Sequence, residues 1–455
     1  MNSKHEMRLL EIAKRLTTFE EVALGYNEEE AYLESLRCLN CKTKPCVSAC
    51  PVAIDIPRFI MKIKEKDITS AHHIITEANL LPGVCGRVCP QESQCESTCV
   101  RAIKGEAVAI GRLERYVADN YQGEAHPQVA KKDYQVAIIG SGPAGLACAG
   151  VLIEKGYTVT IYEAMHENGG VLVYGIPEFR LPKRIVKAEI ETLKQMGVKF
   201  ENNVVVGKTV LLEDLKQEND AIFIGTGAGL PKFMNIPGEN YNGVLSANEF
   251  LTRMNLMKAY QEKYDTPLKK MTNVAVVGGG NVAMDAARSA RRMGAHVYLI
   301  YRRGFQEMPA RLEEIHHAQE EGIIFKNLTN PVAITANNEG RVTNIICQEM
   351  VLGEPDASGR RRPMAKEGSE VVFDVDTVIM AIGNYPNPLL RTSTSLVEYD
   401  KYNCLVVDEN NKTTCDGIYG GGDVVTGAAT VILAMGAGKK AAYAIDLYLQ
   451  NGKER

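Results

Sequence analysis

Eight cysteines between Cys38 and Cys99 are the residues of this chain best suited to chemistry, and they fall into two sets. The first set has the spacing CxxCx4CxxxCP and ends at Cys50-Pro51. It expands by two residues the CxxCxxCxxxCP run of two-cluster ferredoxins, in which the last cysteine binds the other cluster. The second set runs from Cys85 to Cys99 with the spacing CxxxCx5CxxxC. Two such sets in one short segment predict a compact metal-binding module.

The number of cysteines favours iron–sulfur clusters over the other uses of thiols. Two [4Fe–4S] clusters need about eight ligands, and the segment offers eight cysteines. Structural zinc is the alternative, although zinc modules usually pair two short CxxC knuckles. Disulfides are disfavoured because the start of the sequence has no apolar signal-peptide core, which favours a cytoplasmic location. We therefore predict two [4Fe–4S] clusters.

A glycine-rich stretch, VAIIGSGPAG at Val136–Gly145, follows the cysteine module. Its four apolar residues run into three spaced glycines, which predicts a buried strand that turns into a helix and forms a dinucleotide-binding fingerprint. The amino terminus of that helix would face a pyrophosphate. Glu163 lies at the end of the next predicted strand, where a carboxylate receives a ribose hydroxyl pair and repels a 2′-phosphate. This unit therefore predicts FAD or NAD(H) rather than NADP(H).

A second unit at Val274–Ala283 repeats the first one. Val136, Gly140, Gly142, Gly156 and Val159 recur with the same spacing as Val274, Gly278, Gly280, Gly294 and Val297. The second unit has Tyr301 in place of the acidic residue, followed by Arg302 and Arg303. Because arginine can grip a phosphate with two hydrogen bonds, this unit predicts NADPH. A solvated arginine pair at a strand end is the alternative.

The carboxyl-terminal segment predicts a return to the FAD unit. A strand is expected to end at Asp423, which is placed for the ribityl chain of FAD, with a helix-cap role as the alternative. A helix is expected near Thr430, where its dipole would favour a reduced anionic flavin. The predicted FAD-binding residues are Gly140, Gly142, Pro143, Ala144, Gly145, Glu163, Gly170, Thr226, Gly227, Asp423, Thr430 and Val431. The predicted NADPH-binding residues are Gly278, Gly280, Asn281, Val282, Arg302 and Arg303.

These motifs predict an α/β fold. An amino-terminal α-helical double [4Fe–4S] domain is followed by two Rossmann-like nucleotide-binding domains, with the NADPH domain inserted in the FAD domain. The predicted bounds are 1–125 for the iron–sulfur domain, 126–265 and 386–455 for the FAD domain, and 266–385 for the NADPH domain. The polar stretch Asn120–Asp133 is expected to be a linker.

Charge and hydropathy narrow the class of partners. The net charge of −4 gives no electrostatic footprint for nucleic acid or an anionic membrane. No apolar run reaches the roughly 18 residues of a membrane-spanning helix, so we expect no membrane partner. The basic, turn-rich segment Gly353–Ser369 predicts a solvated hairpin tip, with a docking patch for an acidic redox partner as the alternative. The run Glu313–His317 predicts an exposed helix rather than a metal site.

With these motifs in view, the sequence resembles the NADPH-dependent glutamate synthase small (beta) chain family. That family includes the large subunit of NADH-dependent ferredoxin:NADP oxidoreductase, or sulfide dehydrogenase. The resemblance covers about residues 20–450. Its most specific pieces are VCGRVCPQESQCESTC (84–99), AIGRLERY (109–116), GGVLVYGIPEFRLPK (169–183), VVGGGNVAMDAARSARRMGA (276–295) and GAATVILAMGAGKKAA (427–442).

The resemblance implies a ligand set for each cluster. One cluster would be held by the first three cysteines of the first set and the last of the second: Cys38, Cys41, Cys46 and Cys99. The other would be held by Cys50, Cys89, Cys95 and Glu114. Spacing alone would instead assign Cys85 as the eighth ligand, and the resemblance leaves it spare. An ordinary helix-surface carboxylate is the alternative for Glu114.

The resemblance also implies an activity. NADPH would give a hydride to FAD, and the clusters would relay single electrons to a partner subunit. That partner would be a glutamate synthase large chain or a small ferredoxin–NADP reductase-type flavoprotein, in a homo- or hetero-oligomer. The alternative is the catalytic large subunit of a ferredoxin:NADP oxidoreductase of the transhydrogenase or sulfide dehydrogenase type. A non-enzymatic iron–sulfur scaffold is disfavoured by two intact nucleotide sites. No general base is predicted, because hydride transfer depends mainly on stacking geometry.

Overall fold

The computed structural model describes residues 3–123, 129–357 and 359–452. Its amino-terminal part is helical, and local sequence fixes several of the helix ends. At Asn27 the side chain accepts a hydrogen bond from the Glu30 N–H at 2.8 Å, while the Glu30 carboxylate accepts from the Asn27 N–H at 2.7 Å. The helices are α1 (Ile12–Arg15), α2 (Glu28–Ser35), α3 (Pro45–Ser48), α4 (Ile56–Lys64), α5 (Ile68–Thr76), α6 (Pro82–Val88) and α7 (Ile110–Asn120), with 3-10 turns at Gln91–Ser93 and Val100–Ile103.

A five-stranded parallel sheet follows the helical part. Its strands are β1 (Gln135–Ile139), β2 (Thr158–Glu163), β3 (Lys199–Asn202), β4 (Ala221–Ile224) and, near the end of the chain, β15 (Ile418–Gly420). They are arranged in the order β15-β4-β1-β2-β3. The helices of this part are α8 (Pro143–Glu154), α9 (Val171–Tyr174), α10 (Lys183–Gln195), α11 (Leu212–Glu218), α16 (Asp423–Thr426) and α17 (Val431–Asn451).

A second five-stranded parallel sheet lies between β4 and β15 in the chain. Its strands are β6 (Val244–Ser246), β7 (Asn273–Val277), β8 (His296–Tyr301), β9 (Ile324–Asn327) and β13 (Thr377–Met380), in the order β6-β13-β7-β8-β9. The helices are α12 (Ala247–Asn255), α13 (Asn281–Arg292) and α14 (Leu312–Glu320), with a 3-10 turn at Phe305–Glu307. An antiparallel sheet is formed by β10 (Thr329–Ala336), β11 (Val342–Pro355) and β12 (Arg361–Asp374).

The two connections between the sheets run side by side. The short strand β5 (Leu230–Pro231) leaves the first sheet and pairs antiparallel with β14 (Asn384–Tyr385), which returns to it ahead of α15 (Leu389–Ser393). The fold is therefore the predicted one, with one nucleotide-binding unit inserted in the other. β6 belongs to the second sheet, whereas the predicted boundary lies at residue 265. We propose that the inserted unit begins between β5 and β6.

The internal repeat is a repeat of structure as well as of sequence. Val136 lies opposite Val159 in the first sheet, and Val274 lies opposite Val297 in the second. The central strands β1 and β7 are buried along almost their whole length, because both faces of each parallel sheet are covered. In the second sheet, α12, α13 and α14 cover one face and the antiparallel sheet covers the other. Each glycine loop consequently leaves the carboxyl end of a rigid central strand, which positions it for a ligand.

The sequence also predicted the structure of α14, of the β11–β12 hairpin tip and of the linker. Helix α14 is not the exposed helix predicted for Glu313–His317, because Glu314 and His317 are buried where α14 packs against α13. The segment Gly353–Ser369 is a hairpin tip, as predicted, but strand structure continues through most of it. Asn120 ends helix α7, and residues 124–128 of the predicted linker lie outside the described residues.

Candidate functional site

A first cavity collects Cys38, Cys41, Cys46 and Cys99. Cys38 and Cys41 lie in the loop between α2 and α3, Cys46 lies in α3, and Cys99 directly precedes the 3-10 turn at Val100–Ile103. Burial raises the pKa of the Cys38 thiol, and burial together with the neighbouring thiols raises the pKa of Cys46 to about 11. A bound metal would favour ionisation of these thiols. The remaining wall is largely apolar and includes Leu39, Pro45, Ile56, Pro57, Ile60, Val100, Val108 and Ile110.

A second cavity collects Cys50, Cys85, Cys89, Cys95 and Glu114. Thus the last cysteine of the first set joins the second set, as it does in two-cluster ferredoxins. Burial raises the pKa of Cys50 and holds that of Cys95 well above the ordinary thiol value. The apolar part of its wall is formed by Ile54, Ile56, Phe59, Ile110 and Ile432.

Glu114 is an interior carboxylate, since its side chain lies on α7 and the residue is only 5% exposed. Burial raises its pKa to about 8, against the effect of a hydrogen bond from Asn79. Asn79 Nδ2 donates to Glu114 Oε1 at 2.8 Å, and Asn79 Oδ1 accepts from the Leu81 N–H at 3.0 Å. The amide therefore orients the carboxylate at the cavity wall. The helix-surface alternative for Glu114 does not match this burial.

Cys85 also faces the second cavity. Its hydrogen bond with Cys89, followed by burial, holds the pKa of the Cys85 thiol well above the ordinary value. Its sulfur lies 3.5 Å from Sδ of Met435 on α17. Since both Cys85 and Glu114 reach the cavity, the assignment of Glu114 as the fourth ligand remains a prediction.

The cysteines of each ligand set are distributed around a cavity and do not meet at the position of a single metal ion. Within residues 3–123, 129–357 and 359–452, no three His, Cys, Asp or Glu side chains are placed to hold one metal ion. Each ring of sulfur donors instead encloses a cavity with largely apolar walls. Such a donor set fits a polynuclear cluster, which is bound by thiolates around its outside.

The first glycine loop has the shape of a phosphate cradle. Gly140 has φ +100°, and a Cβ there would lie 2.6 Å from the carbonyl oxygen of Gly225. Gly142 is extended and caps α8, and a Cβ there would meet no atom within 4 Å. This open space lies at the amino terminus of a 12-residue helix that begins with Pro143 and Ala144. The residues present therefore fit a dinucleotide pyrophosphate.

Glu163 is held at the edge of that loop. Its carboxylate accepts hydrogen bonds from Ser141 N–H at 2.9 Å and from Met165 N–H at 2.8 Å. A second glycine stretch closes in beside it, since Gly170 has φ +55° and a Cβ there would lie 2.9 Å from Gly142 Cα. These contacts fix the carboxylate where a ribose would follow the pyrophosphate.

The other predicted FAD residues lie at the ends of β4 and β15. Thr226 and Gly227 follow β4, and Gly227 has φ +69° with open space beside it. Asp423 begins the short helix α16, and its Oδ1 accepts from the Ala429 N–H at 3.2 Å. Desolvation raises the pKa of Asp423 to about 6, an effect that this hydrogen bond opposes. Helix α17 is capped by Thr430, whose hydroxyl accepts from the Leu433 N–H at 3.3 Å.

One tyrosine links the two ends of the FAD site. Desolvation raises the pKa of Tyr174 to about 12, and the charges of Glu163 and Asp423 act in the same direction. The charges of the two carboxylates therefore act on the same phenol. The amino terminus of α17, which starts at Val431, belongs to this region.

The second glycine loop repeats the geometry of the first. Gly278 has φ +146°, and a Cβ there would lie 2.3 Å from the Ala381 carbonyl oxygen. Gly280 is extended and caps α13, which begins with Asn281 and Val282. Asn281 Oδ1 accepts a hydrogen bond from the Arg311 N–H at 3.0 Å, so this side chain ties the loop to the segment before α14. The loop thus fits a second dinucleotide.

The two arginines after β8 occupy different environments. Arg302 is exposed. Arg303 is only 5% exposed, donates through Nε to the Arg361 carbonyl oxygen at 2.8 Å, and forms an ion pair with Asp356. Arg303 therefore anchors the β11–β12 hairpin to the end of β8. Arg302 is the residue whose guanidinium is open to a 2′-phosphate.

A buried ionic cluster between the nucleotide units was not predicted from sequence. Arg180 Nη1 donates to Asp285 Oδ2 at 2.6 Å, and Arg288 pairs with both Glu314 and Glu321. The only sequence signal was a set of charged residues at helical spacing on α13 and α14, which ordinarily indicates a solvated face. Their partners lie on different elements, so local spacing does not reveal them.

Comparison with known sequences identifies the family of this chain. Residues 15–126 match the family described as dihydropyrimidine dehydrogenase domain II, 4Fe-4S cluster, and residues 134–438 match pyridine nucleotide-disulphide oxidoreductase. The glutamate synthase [NADPH] small chain of Escherichia coli is 36% identical over 448 residues, which are 96% of this chain and 95% of that protein. The chain belongs to the glutamate synthase small chain family. Membership makes it an NADPH-linked flavin and iron–sulfur oxidoreductase, with FAD, NADPH and two [4Fe–4S] clusters as cofactors.

The chain also resembles proteins other than the glutamate synthase small chains. The NADP(+)-dependent formate dehydrogenase subunit beta of Moorella thermoacetica is 39% identical, and the match covers 90% of this chain but only 60% of that protein. The structure of Mycobacterium tuberculosis FprA in complex with NADPH has a TM-score of 0.61 at 21% identity, covering 71% of this chain and 86% of that one. This second likeness supports the fold alone.

Two further findings concern partners and membranes. The Escherichia coli and Moorella thermoacetica relatives are designated as a small chain and a beta subunit, respectively. Among the residues that the structure describes, no helix combines the length and the apolar character needed to span a bilayer.

Proposed function

We propose that this chain takes electrons from NADPH at the second glycine loop and delivers them, through FAD and both clusters, to a partner subunit of the glutamate synthase type. One observation carries the proposal. Ile432, two residues after the helix cap Thr430, lines the same cavity as Cys50, Cys95 and Glu114. The helix that begins at the FAD site and the second ligand set therefore share a wall.

The cofactors supply the redox chemistry and the chain supplies the placement. When bound, NADPH provides two electrons and a proton as a hydride, FAD holds the electron pair and releases it singly, and each [4Fe–4S] cluster carries one electron. Gly280 and the amino terminus of α13 would hold the pyrophosphate of NADPH, and Arg302 its 2′-phosphate. Gly142, Glu163 and Asp423 would hold FAD, while the amino terminus of α17 favours negative charge beside it.

We place the exit toward the partner at the first cavity. Leu39 is 51% exposed and lines this cavity, and Ile103 is 77% exposed in the turn that follows Cys99. Exposed apolar side chains beside a redox site suit a protein interface. The basic hairpin tip around Gly353–Ser369 lies in the NADPH unit, where Arg303 anchors it, and we assign it to that unit rather than to docking.

Co-purification followed by NADPH oxidation tests the proposal. The full chain is isolated anaerobically with a glutamate synthase large chain or, in a parallel preparation, with a small ferredoxin–NADP reductase-type flavoprotein. We expect a stable complex with the large chain and, when no other electron acceptor is added, NADPH oxidation that depends on that chain. A complex with the flavoprotein alone would contradict the glutamate synthase type, and failure to oxidise NADPH with an artificial dye would contradict the enzyme function itself.

A further inference from the structure

Helix α17 presents one stripe of residues to the iron–sulfur module. Ile432, Met435, Gly436 and Lys439 are spaced by three, one and three residues, so they share a helix face. Ile432 lines the second cysteine cavity, and Met435 Sδ lies 3.5 Å from Cys85 Sγ. The stripe therefore runs from the FAD end of the helix along the second ligand set.

Gly436 sets how closely α17 approaches the loop that follows Cys50. A Cβ at this position would lie 2.8 Å from the carbonyl oxygen of Pro51, which follows the cluster ligand Cys50. Real Cβ atoms do not approach an oxygen so closely, so a side chain here would push the helix from the cluster loop. The backbone of Gly436 therefore lies close to the backbone of Pro51.

Lys439 completes the stripe and joins two segments of the module. Its Nζ donates to the carbonyl oxygen of Val52 at 3.2 Å and to that of Ala78 at 3.0 Å. Val52 lies two residues after Cys50, and Ala78 precedes Asn79, which donates to Glu114. One ammonium group thus ties both sides of the second ligand set to the helix of the FAD site.

We propose that Lys439 is a positioning residue that fixes the second [4Fe–4S] cluster against the FAD helix and, through its charge, favours the electron-rich form of that cluster. The inference rests on the proposed function, because it presumes that the cluster receives one electron from reduced flavin. In that step the flavin loses one electron, the cluster gains one negative charge, and no heavy atom is transferred. A nearby ammonium group stabilises the added charge. Glu154, which interacts electrostatically with Lys439, offsets part of this effect.

The test compares three substitutions of Lys439 with one at Lys440, the exposed neighbour. Lys439→Met removes charge and hydrogen bonds, Lys439→Gln keeps a donor without the charge, and Lys439→Arg keeps both. The midpoint potential of the second cluster is measured in the anaerobic holoprotein by an EPR-monitored redox titration, with Cys95→Ser identifying its signal. The rate of flavin bleaching by NADPH is recorded separately by stopped flow.

We expect Lys439→Gln and Lys439→Met to move the second cluster to a more negative potential. A tenfold change in electron distribution corresponds to about 59 mV for one electron. Lys439→Arg should restore the potential, and Lys440→Met should leave it unchanged. Flavin bleaching should stay at the wild-type rate in all four variants.

Two results would overturn the inference. One is an unchanged potential in Lys439→Gln when its iron content and unfolding midpoint match the wild type. The other is an equal shift in Lys440→Met. Wild-type protein whose flavin is not bleached by NADPH would instead contradict the proposed function, so the two failures are distinguishable. If Lys439→Met does not assemble its clusters, Lys439→Gln still decides the question of charge.

Discussion

Arg180 Nη1 donates to Asp285 Oδ2 at 2.6 Å, and this buried contact joins the FAD unit to helix α13 of the NADPH unit. Phe179, the preceding residue, lies under the guanidinium of Arg292, which is 3.9 Å from the ring centroid. Burial raises the pKa of Asp285 to about 6, against the effect of Arg180. Each unit supplies one member of this buried ion pair. The pair therefore holds the FAD and NADPH units together and fixes the relative placement of their glycine loops.

The first prediction concerns this pair. Arg180→Met leaves Asp285 buried without its main partner, which typically costs about 3–5 kcal/mol. We expect a lower unfolding midpoint and slower flavin bleaching by NADPH, because the units lose their alignment. Differential scanning calorimetry and stopped-flow absorbance measure the two effects. Arg184→Met, at an exposed position nearby, is the control, and equal behaviour of the two variants would show that the pair does not fasten the units.

The second prediction separates Arg302 from Arg303. Arg302→Ala should raise KM for NADPH about tenfold to a hundredfold and leave KM for NADH nearly unchanged, since a hydrogen bond to a charged group contributes about 1.5–3 kcal/mol. Arg303→Ala should impair both coenzymes, because it frees the hairpin that Asp356 anchors. Arg341→Ala, an exposed pair partner of Glu339, serves as the control. Selectivity that changes only in Arg303→Ala would reverse the assignment.

The third prediction concerns the second ligand set. Glu114→Gln should alter the EPR spectrum of one reduced cluster, whereas Cys85→Ser should leave both spectra unchanged. The physical reason is that Asn79 already orients the Glu114 carboxylate toward the cavity, while the Cys85 sulfur contacts Met435. Iron content and EPR of both variants provide the measurement. Loss of a cluster in Cys85→Ser together with a normal Glu114→Gln spectrum would assign Cys85 as the ligand.

The fourth prediction is a dependence of stability on pH. Asp446 is desolvated, which alone would raise its pKa, but hydrogen bonds from Lys155 and Tyr157 lower the pKa from 3.8 to about 2. The folded pKa lies below the unfolded one, so the stabilisation is complete above about pH 5 and is lost as pH falls toward 2. After solvent screening we expect about 1–2 kcal/mol from this group near neutral pH.

Asp446→Asn measures that contribution. The difference in unfolding midpoint between wild type and variant should be constant from pH 5 to about pH 8 and shrink below pH 4. Asp408→Asn is the matched control, since the Asp408 carboxylate accepts local hydrogen bonds from the Asn410 and Lys412 N–H groups. A difference that grows as the solution is acidified would contradict the sign of the effect.

Local sequence patterns were sufficient to predict part of the fold and of the candidate site. The cysteine spacings and the repeat of Val136–Gly145 at Val274–Ala283 predicted the module and both glycine loops, because each feature is contained in one short segment. The burial of Glu314 could not be predicted, since its partner Arg288 lies on another helix. The burial of Arg303 depends likewise on a hairpin that begins about forty residues later in the sequence. Long-range pairing decides such environments, and spacing does not encode it.

The most direct test of the electron route uses a ferredoxin as a protein-sized acceptor, because small dyes can take electrons from flavin without a cluster. Wild-type holoprotein and Cys95→Ser are mixed anaerobically with NADPH, and flavin bleaching and ferredoxin reduction are followed together. We predict that both proteins bleach their flavin at the same rate and that only the wild type reduces the ferredoxin. Equal ferredoxin reduction by Cys95→Ser would contradict a route from FAD through the second cluster.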